Sequence, residues 1–500
     1  MKRSARSLIC VPVIGRSFPE ALEQIVETRN ETDLFELRID CLRGVSDEQV
    51  KELVSSMGKP FILCVRRQDE GGDFAGTEAE RLKRWVALSA LNPAYVDVES
   101  SVEDSFLETI RHHFPNAALI LSHHDFRQTI PNLPELLRRM QSRKAALYKI
   151  ATMANSSLDG LRMLQFLKSH RHAGLIALCM GPCGEFTRVL AALAGSRIVY
   201  ACSSAGKRSA PGQIPLRQML DGYRVPQMTE ATRVFGLIGD PVTKSPSDIT
   251  HNSVIEKLAL DAVYVKIPVR KEELSLCLRA AASFGIQGLS VTMPLKEELV
   301  KLVDSLEGDA KDCGAVNTLH FNEGRILGYN TDGRGALDAL EEWMPVRGKR
   351  LVIVGAGGSA RAIACEASRR GAEVSLVNRT ESKALEAANL AGGRGYSFDG
   401  WKLSRQSYDA MIHCTPLGMF GMDSSLVEEL IDEGKCLMDI VVSKEETALM
   451  KQARLRGCQV IGGYAMLKKQ AISQFRIWTE DSHRKLNLED AFEIAFGALP

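Results

Sequence analysis

The sequence predicts an α/β protein built on parallel sheets. Eight short apolar, β-branched runs are separated by helical or turn segments in the first 220 residues, and a strand–glycine turn–helix–strand passage follows at 349–380. The length, 500 residues, corresponds to about two to four domains. Eight strand–helix units in the first 220 residues fit a (β/α)8 barrel, with an open doubly wound sheet as the alternative from pattern alone.

The composition is globular, with 45% hydrophobic residues, 25% charged residues and a formal net charge of +1. That balance gives no general attraction to nucleic acid or to an anionic membrane, so neither is expected as a partner. The 12 cysteines are scattered; the closest pair, Cys179 and Cys183, has no second pair or nearby histidines to complete a zinc site. No metal is expected, and reduced thiols point to the cytoplasm, or to a plastid if a targeting segment has been removed. No apolar run reaches the ~18 residues of a membrane span. The opening MKRSARSLICVPVIG is interrupted by Pro12, Gly15 and Arg16 and has no A-x-A site, so SLICVPVI reads as a first strand and not a signal peptide.

In order, the eight runs are SLICVPVI (7–14), LFELRID (34–40), FILCVR (61–66), YVDVES (95–100), ALILSHHDF (118–126), LYKIATM (147–153), GLIALCMG (174–181) and IVYACSS (198–204). Glu36, Arg38, Arg66, His124 and Lys149 fall within or at the ends of these strands, where a barrel gathers its functional groups. Alternation puts Lys149 on one face with Leu147 and Ala151. A lysine there is a snorkelling core residue, half of a buried ion pair, or a nucleophilic amine.

Its neighbours weigh on that choice. LSHHDF brings His124 to the adjacent strand end, RRQDEGG adds Glu70, FTR adds Arg188, and SAPGQI adds Ser209 and Gln213. An amine, an imidazole, carboxylates and arginines suit Schiff-base chemistry on a carbonyl acid. The amine attacks only when neutral, which predicts a Lys149 pKa lowered from about 10.4 by desolvation and nearby arginines. His123 and Arg67 read as packing or solvated neighbours.

FELRID, RRQDEGG, SHHDF, YKIATM and SAPGQI resemble, in order and spacing, the type I 3-dehydroquinate dehydratases, over residues 5–222. The resemblance implies a (β/α)8 barrel in which Lys149 forms an iminium with the ketone of 3-dehydroquinate. His124 would remove the adjacent proton and assist loss of the hydroxyl, with Glu70 orienting it. Arg188 would clamp the carboxylate, and Glu36, Arg38, Arg66, Ser209 and Gln213 would hold hydroxyls and carboxylate. Thr187 stands where the family usually has serine.

The second half begins after the polar stretch GYRVPQMTEATR, punctuated by Pro226. VIVGAGGSARA has the spacing G-x-G-x-x-A at Gly355, Gly357 and Ala360, which between a strand and an alanine-rich helix reads as a dinucleotide turn carried by Gly355, Ala356, Gly357, Gly358, Ser359 and Ala360. The following strand ends in Asn378, Arg379 and Thr380 where NAD-binding units carry a carboxylate. Arginine pairs with a 2′-phosphate, so NADP(H) is the expected cofactor, with Arg379 as main contact and Lys383 as either a helper or a solvated helix residue. GDPVTKSPSDITHN, LSVTMPLK, GAVNTL and GYNTDGRG supply Ser245, Ser247, Thr292, Lys296, Asn317 and Asp332. On spacing alone Lys296 and Asp332 read either as a structural salt bridge or as a pair able to pass a proton to a developing alkoxide.

These stretches, with HCTPLGM, DIVVSKEETAL and GGYAMLKKQAISQFRIWT, resemble shikimate dehydrogenase across residues 233–480. The resemblance implies Lys296 and Asp332 as the catalytic pair, Ser245 and Ser247 on the substrate carboxylate, and Thr292, Asn317 and Gln470 on the ring hydroxyls. Departures are Ser290 and His413 where many members have asparagine, Val442 for a tyrosine, Lys444 for a proline, and Ala471 for a glycine; the loop reads Ser245-Pro246-Ser247-Asp248 for the usual Ser-x-Ser-Pro.

The expected organisation is a barrel at 1–222, a linker at 223–232, a substrate lobe at 233–335 with 465–500, and a Rossmann NADP lobe at 336–464. The expected activity is that of a fused enzyme converting 3-dehydroquinate to 3-dehydroshikimate and then to shikimate. A quinate-reducing second half and a catalytically inactive metabolite sensor are the alternatives, the latter opposed by retention of Lys149, His124, Lys296 and Asp332. The sequence does not fix the oligomeric state.

Overall fold

A computed structural model describes residues 6–204, 208–404, 406–479 and 487–498. The chain divides into two compact units: residues 1–233 with 261–269 and 275–285, and residues 234–260 with 270–274 and 286–500.

The first unit contains eight parallel strands: β1 (Leu8–Val13), β2 (Leu34–Arg38), β3 (Phe61–Cys64), β4 (Tyr95–Glu99), β5 (Ala118–Asp125), β6 (Leu147–Met153), β7 (Leu175–Met180) and β8 (Ile198–Cys202). Their order in the sheet is β7-β6-β5-β4-β3-β2-β1-β8, and the short strand Ile214–Pro215 pairs beyond β8. The sheet curls until its ends meet, where Arg197 N–H bonds the carbonyl of Leu175 at 2.9 Å. This is the barrel expected from the alternation of strands and helices.

Helices follow the strands because their starts are specified locally. Ser46 with Gln49, Thr77 with Glu80, and Ser156 with Asp159 form capping boxes that satisfy first-turn N–H groups. Period-two alternation then sorts each strand. Cys10, Leu34, Ile62, Ile120, Leu147, Ala151, Ile176, Leu178 and Tyr200 form one buried cluster inside the barrel. Continuing those inward positions toward the C-terminal strand ends gives Glu36 and Arg38 on β2, Asp97 on β4, Ser122 and His124 on β5, and Lys149 on β6.

In the second unit, Arg233–Gly239 and Ile286–Val291 run parallel, and Thr318–Asn322 pairs antiparallel with Ile286–Val291. A hairpin to Arg325–Tyr329 and the short strand Ser305–Leu306 extend that sheet. A second sheet is wholly parallel: β9 (Arg350–Val354), β10 (Glu373–Val377), β11 (Arg394–Tyr396), β12 (Ala410–His413), β13 (Cys436–Asp439) and β14 (Gln459–Gly462). Its order, β11-β10-β9-β12-β13-β14, is that of a Rossmann fold, with the reversal between β9 and β12. The helical C-terminal stretch is described as Gly463–Trp478 and Leu488–Gly497; its residues 480–486 lie outside the described ones.

Helix Asp332–Glu341 packs on helix Gly463–Trp478 through Gly335, where a Cβ would stand 2.8 Å from the backbone nitrogen of Gln470. Alanine normally stabilises a helix interior by up to about 1 kcal/mol over glycine. Here the clash is with backbone and cannot be relieved by a rotamer change. Gly335→Ala should therefore destabilise the second unit by about 1–3 kcal/mol. Urea denaturation checks this, and an unchanged or higher midpoint would refute it.

Candidate active sites

The barrel site is a consequence of strand alternation. Lys149 is buried at 6% exposure, with Nζ donating to Glu36 Oε1 at 2.9 Å and Asp97 Oδ2 at 3.0 Å. The same nitrogen lies 4.3 Å from the centroid of the Tyr200 ring. Asp97 Oδ1 accepts from Arg66 Nη2 at 2.6 Å, while Arg66 Nη1 donates to Ser122 Oγ at 2.8 Å. Arg38 is engaged by Asp40 through two bonds, at 2.9 and 2.7 Å.

The Lys149 pKa is the point at which the sequence expectation fails. Burial works against the ammonium, but the Asp97 and Glu36 carboxylates outweigh it, and the pKa is raised above its ordinary value. The arginines that were expected to lower it are largely neutralised by their own carboxylates. Asp97 itself was missed. The signal was present in YVDVES, because Asp97 has the same parity as Tyr95, whose ring packs on the barrel interior.

His124 and Glu70 form a second couple. Glu70 Oε2 accepts the backbone N–H of His124 at 3.0 Å and faces its Nδ1 at 3.1 Å, and Ser101 Oγ donates to Oε1 at 3.2 Å. Burial, then the nearby Arg66 and Lys149 cations, hold the imidazole well below its usual pKa. Burial pushes the Glu70 carboxyl up to about 7, opposed by Arg66 and assisted by Glu99. His124 is thus neutral, and Nδ1–H toward Glu70 leaves Nε2 as a base.

Arg188 differs from the other two arginines. It is buried, burial lowers its pKa to about 10, and its Nη2 donates to the carbonyl of Pro211 at 3.0 Å. Its Nε has no hydrogen-bond acceptor among the described residues. The Glu185 carboxylate acts on it, but no ion pair within 4 Å engages it among the described residues, and a buried guanidinium so placed favours an anion from outside. Arg38, Arg66, Glu70, His124, Lys149, Arg188, Ser209 and Gln213 line one pocket, and Gln213 Oε1 accepts the Ser209 N–H at 2.6 Å.

A separate site lies in the second unit. Lys296 Nζ donates to Asp332 Oδ2 at 2.5 Å and to Ser359 Oγ at 2.9 Å, and Ser359 Oγ reaches the same carboxylate oxygen at 3.1 Å. Asn317 Nδ2 donates to Asp332 Oδ1 at 2.8 Å, Thr331 Oγ1 at 2.9 Å and Gln470 Oε1 at 3.3 Å. Lys296, Asn317, Asp332 and Gln470, scattered over 175 positions, therefore meet in one network. Gln474 was missed: it accepts from Ser290 Oγ at 2.8 Å and donates to the Asn317 carbonyl at 3.0 Å, so the serine at 290 has a buried partner. Ser245 and Ser247 pair through their hydroxyls at 2.9 Å, at the start of helix Ser247–Lys257. Thr292 is half-buried just past Ile286–Val291.

The glycine turn joins β9 to helix Gly358–Arg369. Gly355 has φ 125°, and a Cβ on it would stand 3.1 Å from the Cys414 carbonyl oxygen; a Cβ on Gly358 would stand 2.9 Å from that of Lys296. No side chain caps the helix at Gly357, so its first N–H groups are open to an anion. Ser359 sits in this turn, yet its hydroxyl is on the Lys296–Asp332 pair. Asn378, half-buried, bonds the Thr380 carbonyl at 3.0 Å, while Arg379, Thr380 and Lys383 are exposed beyond β10. A bare turn at a helix N-terminus, with Asn378 and Arg379 in place of a carboxylate directly after β10, fits a dinucleotide with a 2′-phosphate. Among the described residues there is no group of three His, Cys, Asp or Glu placed to hold a metal, and no helix long and apolar enough to cross a membrane.

Two family models match the chain, one in each half. A family model described as type I 3-dehydroquinase matches residues 9–230, and one described as shikimate dehydrogenase substrate binding domain matches 237–319. The chain is 32% identical to shikimate biosynthesis protein AroDE of Chlamydia pneumoniae, covering 95% of this chain and 96% of the relative. It is also 32% identical to the bifunctional 3-dehydroquinate dehydratase/shikimate dehydrogenase, chloroplastic, of Arabidopsis thaliana, covering 95% and 82%. Its second half is 42% identical to the shikimate dehydrogenase (NADP(+)) of Methanosarcina acetivorans, over 49% of this chain and 92% of that one. A barrel with a buried lysine, a Rossmann lobe beside a lysine–aspartate pair, and similarity over nearly the full length lead to one conclusion: the chain belongs to the family of bifunctional 3-dehydroquinate dehydratase/shikimate dehydrogenases.

Proposed function

We propose that the barrel dehydrates 3-dehydroquinate to 3-dehydroshikimate through Lys149 and that the second unit reduces the product to shikimate with NADPH. The observation that carries the first half is the Lys149 amine in a pocket shared with a neutral His124 and an Arg188 whose Nε has no acceptor among the described residues.

Arg188 receives the substrate carboxylate, and the ketone reaches Lys149 Nζ. Forming the iminium from an ammonium and a ketone releases one water and leaves one positive charge on nitrogen. The Asp97 and Glu36 carboxylates that stabilise the ammonium therefore stabilise the iminium as well, and the raised Lys149 pKa opposes only the transient neutral amine. His124 Nε2 takes the proton next to the iminium carbon, giving an enamine, and returns it to the departing hydroxyl as water leaves. Hydrolysis of the conjugated iminium then frees Lys149. Glu70 keeps the histidine proton on Nδ1 throughout. Arg38, Arg66, Ser209 and Gln213 surround the remaining hydroxyls.

In the second unit, Ser245 and Ser247 bind the carboxylate of 3-dehydroshikimate, and Thr292, Asn317 and Gln470 hold its hydroxyls. Bound NADPH supplies the hydride. Lys296 donates a proton to the alkoxide oxygen as charge develops, and Asp332 keeps that ammonium aimed. Arg379 pairs with the cofactor's 2′-phosphate.

Lys149→Ala should reduce dehydration by on the order of 10³-fold or more, as loss of a covalent nucleophile does, while leaving NADPH oxidation by added 3-dehydroshikimate intact. Borohydride with 3-dehydroquinate should add substrate mass to the peptide containing Lys149. Loss of both activities in a folded variant, or trapping on another lysine, would contradict the assignment.

Because burial raises the Glu70 pKa, its carboxylate form is lost as pH falls through about 7. Dehydratase kcat/KM should decline below that pH, and Glu70→Gln should remove the inflection while lowering the plateau. A profile flat from pH 8 to 5 would refute the coupling.

Arg379→Ala should raise the KM for NADPH by about 10–100-fold, the scale of a lost charge-assisted bond, with little change for NADH. Equal effects on both cofactors would place the 2′-phosphate elsewhere.

A further inference from the structure

The Rossmann sheet contains a buried charged group that neither reaction uses. His413 ends β12 and Asp439 ends β13, and both are at most 1% exposed. His413 Nδ1 lies 2.9 Å from Asp439 Oδ1, and Nε2 lies 2.5 Å from Thr415 Oγ1. Asp439 Oδ1 also accepts the Val441 N–H at 3.1 Å, and Oδ2 faces Thr447 Oγ1 at 2.6 Å.

The directions of these bonds follow from the donor inventory. Thr447 Oγ1 already accepts the Met450 N–H at 3.2 Å, so its own proton goes to Asp439. A carboxylate facing three donors is an acceptor throughout, which puts the imidazole proton on Nδ1. When the ring carries that one proton alone, Nε2 accepts from the Thr415 hydroxyl 2.5 Å away. Thr415 Oγ1 retains two lone pairs, and one receives the Leu417 N–H at 3.3 Å. The hydroxyl is left with one acceptor position and no donor.

Its location gives that acceptor a use. The sheet order reverses between β9 and β12, so the crevice outside their C-terminal ends is where this fold binds a dinucleotide. Thr415 follows β12 by two residues, and the preceding Cys414 carbonyl closes against Gly355 of the glycine turn. We propose that His413 holds its single proton on Nδ1 against Asp439, and that Thr415 Oγ1, so oriented, accepts a hydrogen bond from the primary carboxamide of the nicotinamide ring. Thr415 is the contact; His413 and Asp439 are positioning residues that fix its polarity. The proposal rests on the NADP reading of this lobe.

The test uses the full chain and measures binding without turnover. Dissociation constants are determined calorimetrically for NADP+, for its 3-acetylpyridine analogue, in which a methyl ketone replaces the amide and removes the N–H donors, and for 2′,5′-ADP, which lacks the nicotinamide half. The unmodified protein should prefer NADP+ over the analogue by about three- to tenfold, the scale of one neutral hydrogen bond. Thr415→Val should abolish that preference and leave 2′,5′-ADP binding unchanged; Thr415→Ser should retain it. His413→Phe should also abolish it, and if that buried variant does not fold, the two Thr415 variants still decide. A preference absent from the unmodified protein, one that survives Thr415→Val, or an equal loss of 2′,5′-ADP binding overturns the inference. Failure of the unmodified protein to bind either NADP+ or 2′,5′-ADP instead overturns the cofactor reading, and this inference with it.

Discussion

The barrel chemistry depends on a positive charge held out of water. Lys149 Nζ sits between Glu36 and Asp97 inside a barrel, and the inward neighbours on its own strand, Leu147 and Ala151, are apolar. An ammonium there is tolerable only because two carboxylates meet it, and those carboxylates are tolerable only because Lys149 and Arg66 meet them. The group is self-consistent at rest and stays so when the ammonium becomes an iminium, since the charge is unchanged. That makes the geometry a device for conserving charge through a covalent step. It also explains why a raised lysine pKa and a nucleophilic lysine are compatible: the carboxylates favour the two cationic species on either side of the neutral amine.

The second site solves a different problem. Lys296, Asn317, Asp332 and Gln470 come from four segments, and each has its hydrogen-bonding capacity directed at another member. Such a network rigidifies when complete and is costly when broken. Gln474 extends it to Ser290, and Gly335 lets helix Gly463–Trp478 come close enough for Gln470 to join. Packing and chemistry are coupled at this point. The helix contact that stabilises the lobe is the one that places the Gln470 amide against Asn317.

Much of this was legible in the sequence because parallel-sheet proteins place polar residues at strand ends. Glu36, Arg38, His124 and Lys149 stood out as charges within apolar runs, and the glycine turn stood out by spacing between a strand and a helix. Asp97 is equally legible by its parity with Tyr95, but its partners, Lys149 and Arg66, lie on other strands and are set by the fold. The Lys149 pKa was not legible. It depends on which arginines are already paired, as Arg38 is with Asp40 and Arg66 with Asp97, and pairing across strands is set by register. Gln474 and the Ser359 hydroxyl contact were hidden for the same reason: each spans elements distant in sequence.

The two units meet the same substrate feature with opposite electrostatics. On the proposed reading a carboxylate in the barrel is met by Arg188, a guanidinium whose pKa is lowered to about 10 by burial and whose Nε has no acceptor among the described residues. In the second unit the corresponding partners on this reading are Ser245 and Ser247, neutral hydroxyls bonded to one another. The difference follows from what each reaction does to charge. The barrel site carries Lys149 and Arg66 balanced by Glu36 and Asp97, so the charge of Arg188 is left to be neutralised by the ligand, which ties binding of the anion to completion of the site. Reduction of a ketone instead creates a transient alkoxide that Lys296 must neutralise. A second cation fixed on the carboxylate would compete for the field that Lys296 and Asp332 set up, whereas hydroxyls orient the ring without adding charge. Recognition of one acid by charge and then by neutral donors thus follows from conserving a cation in the first step and quenching an anion in the second.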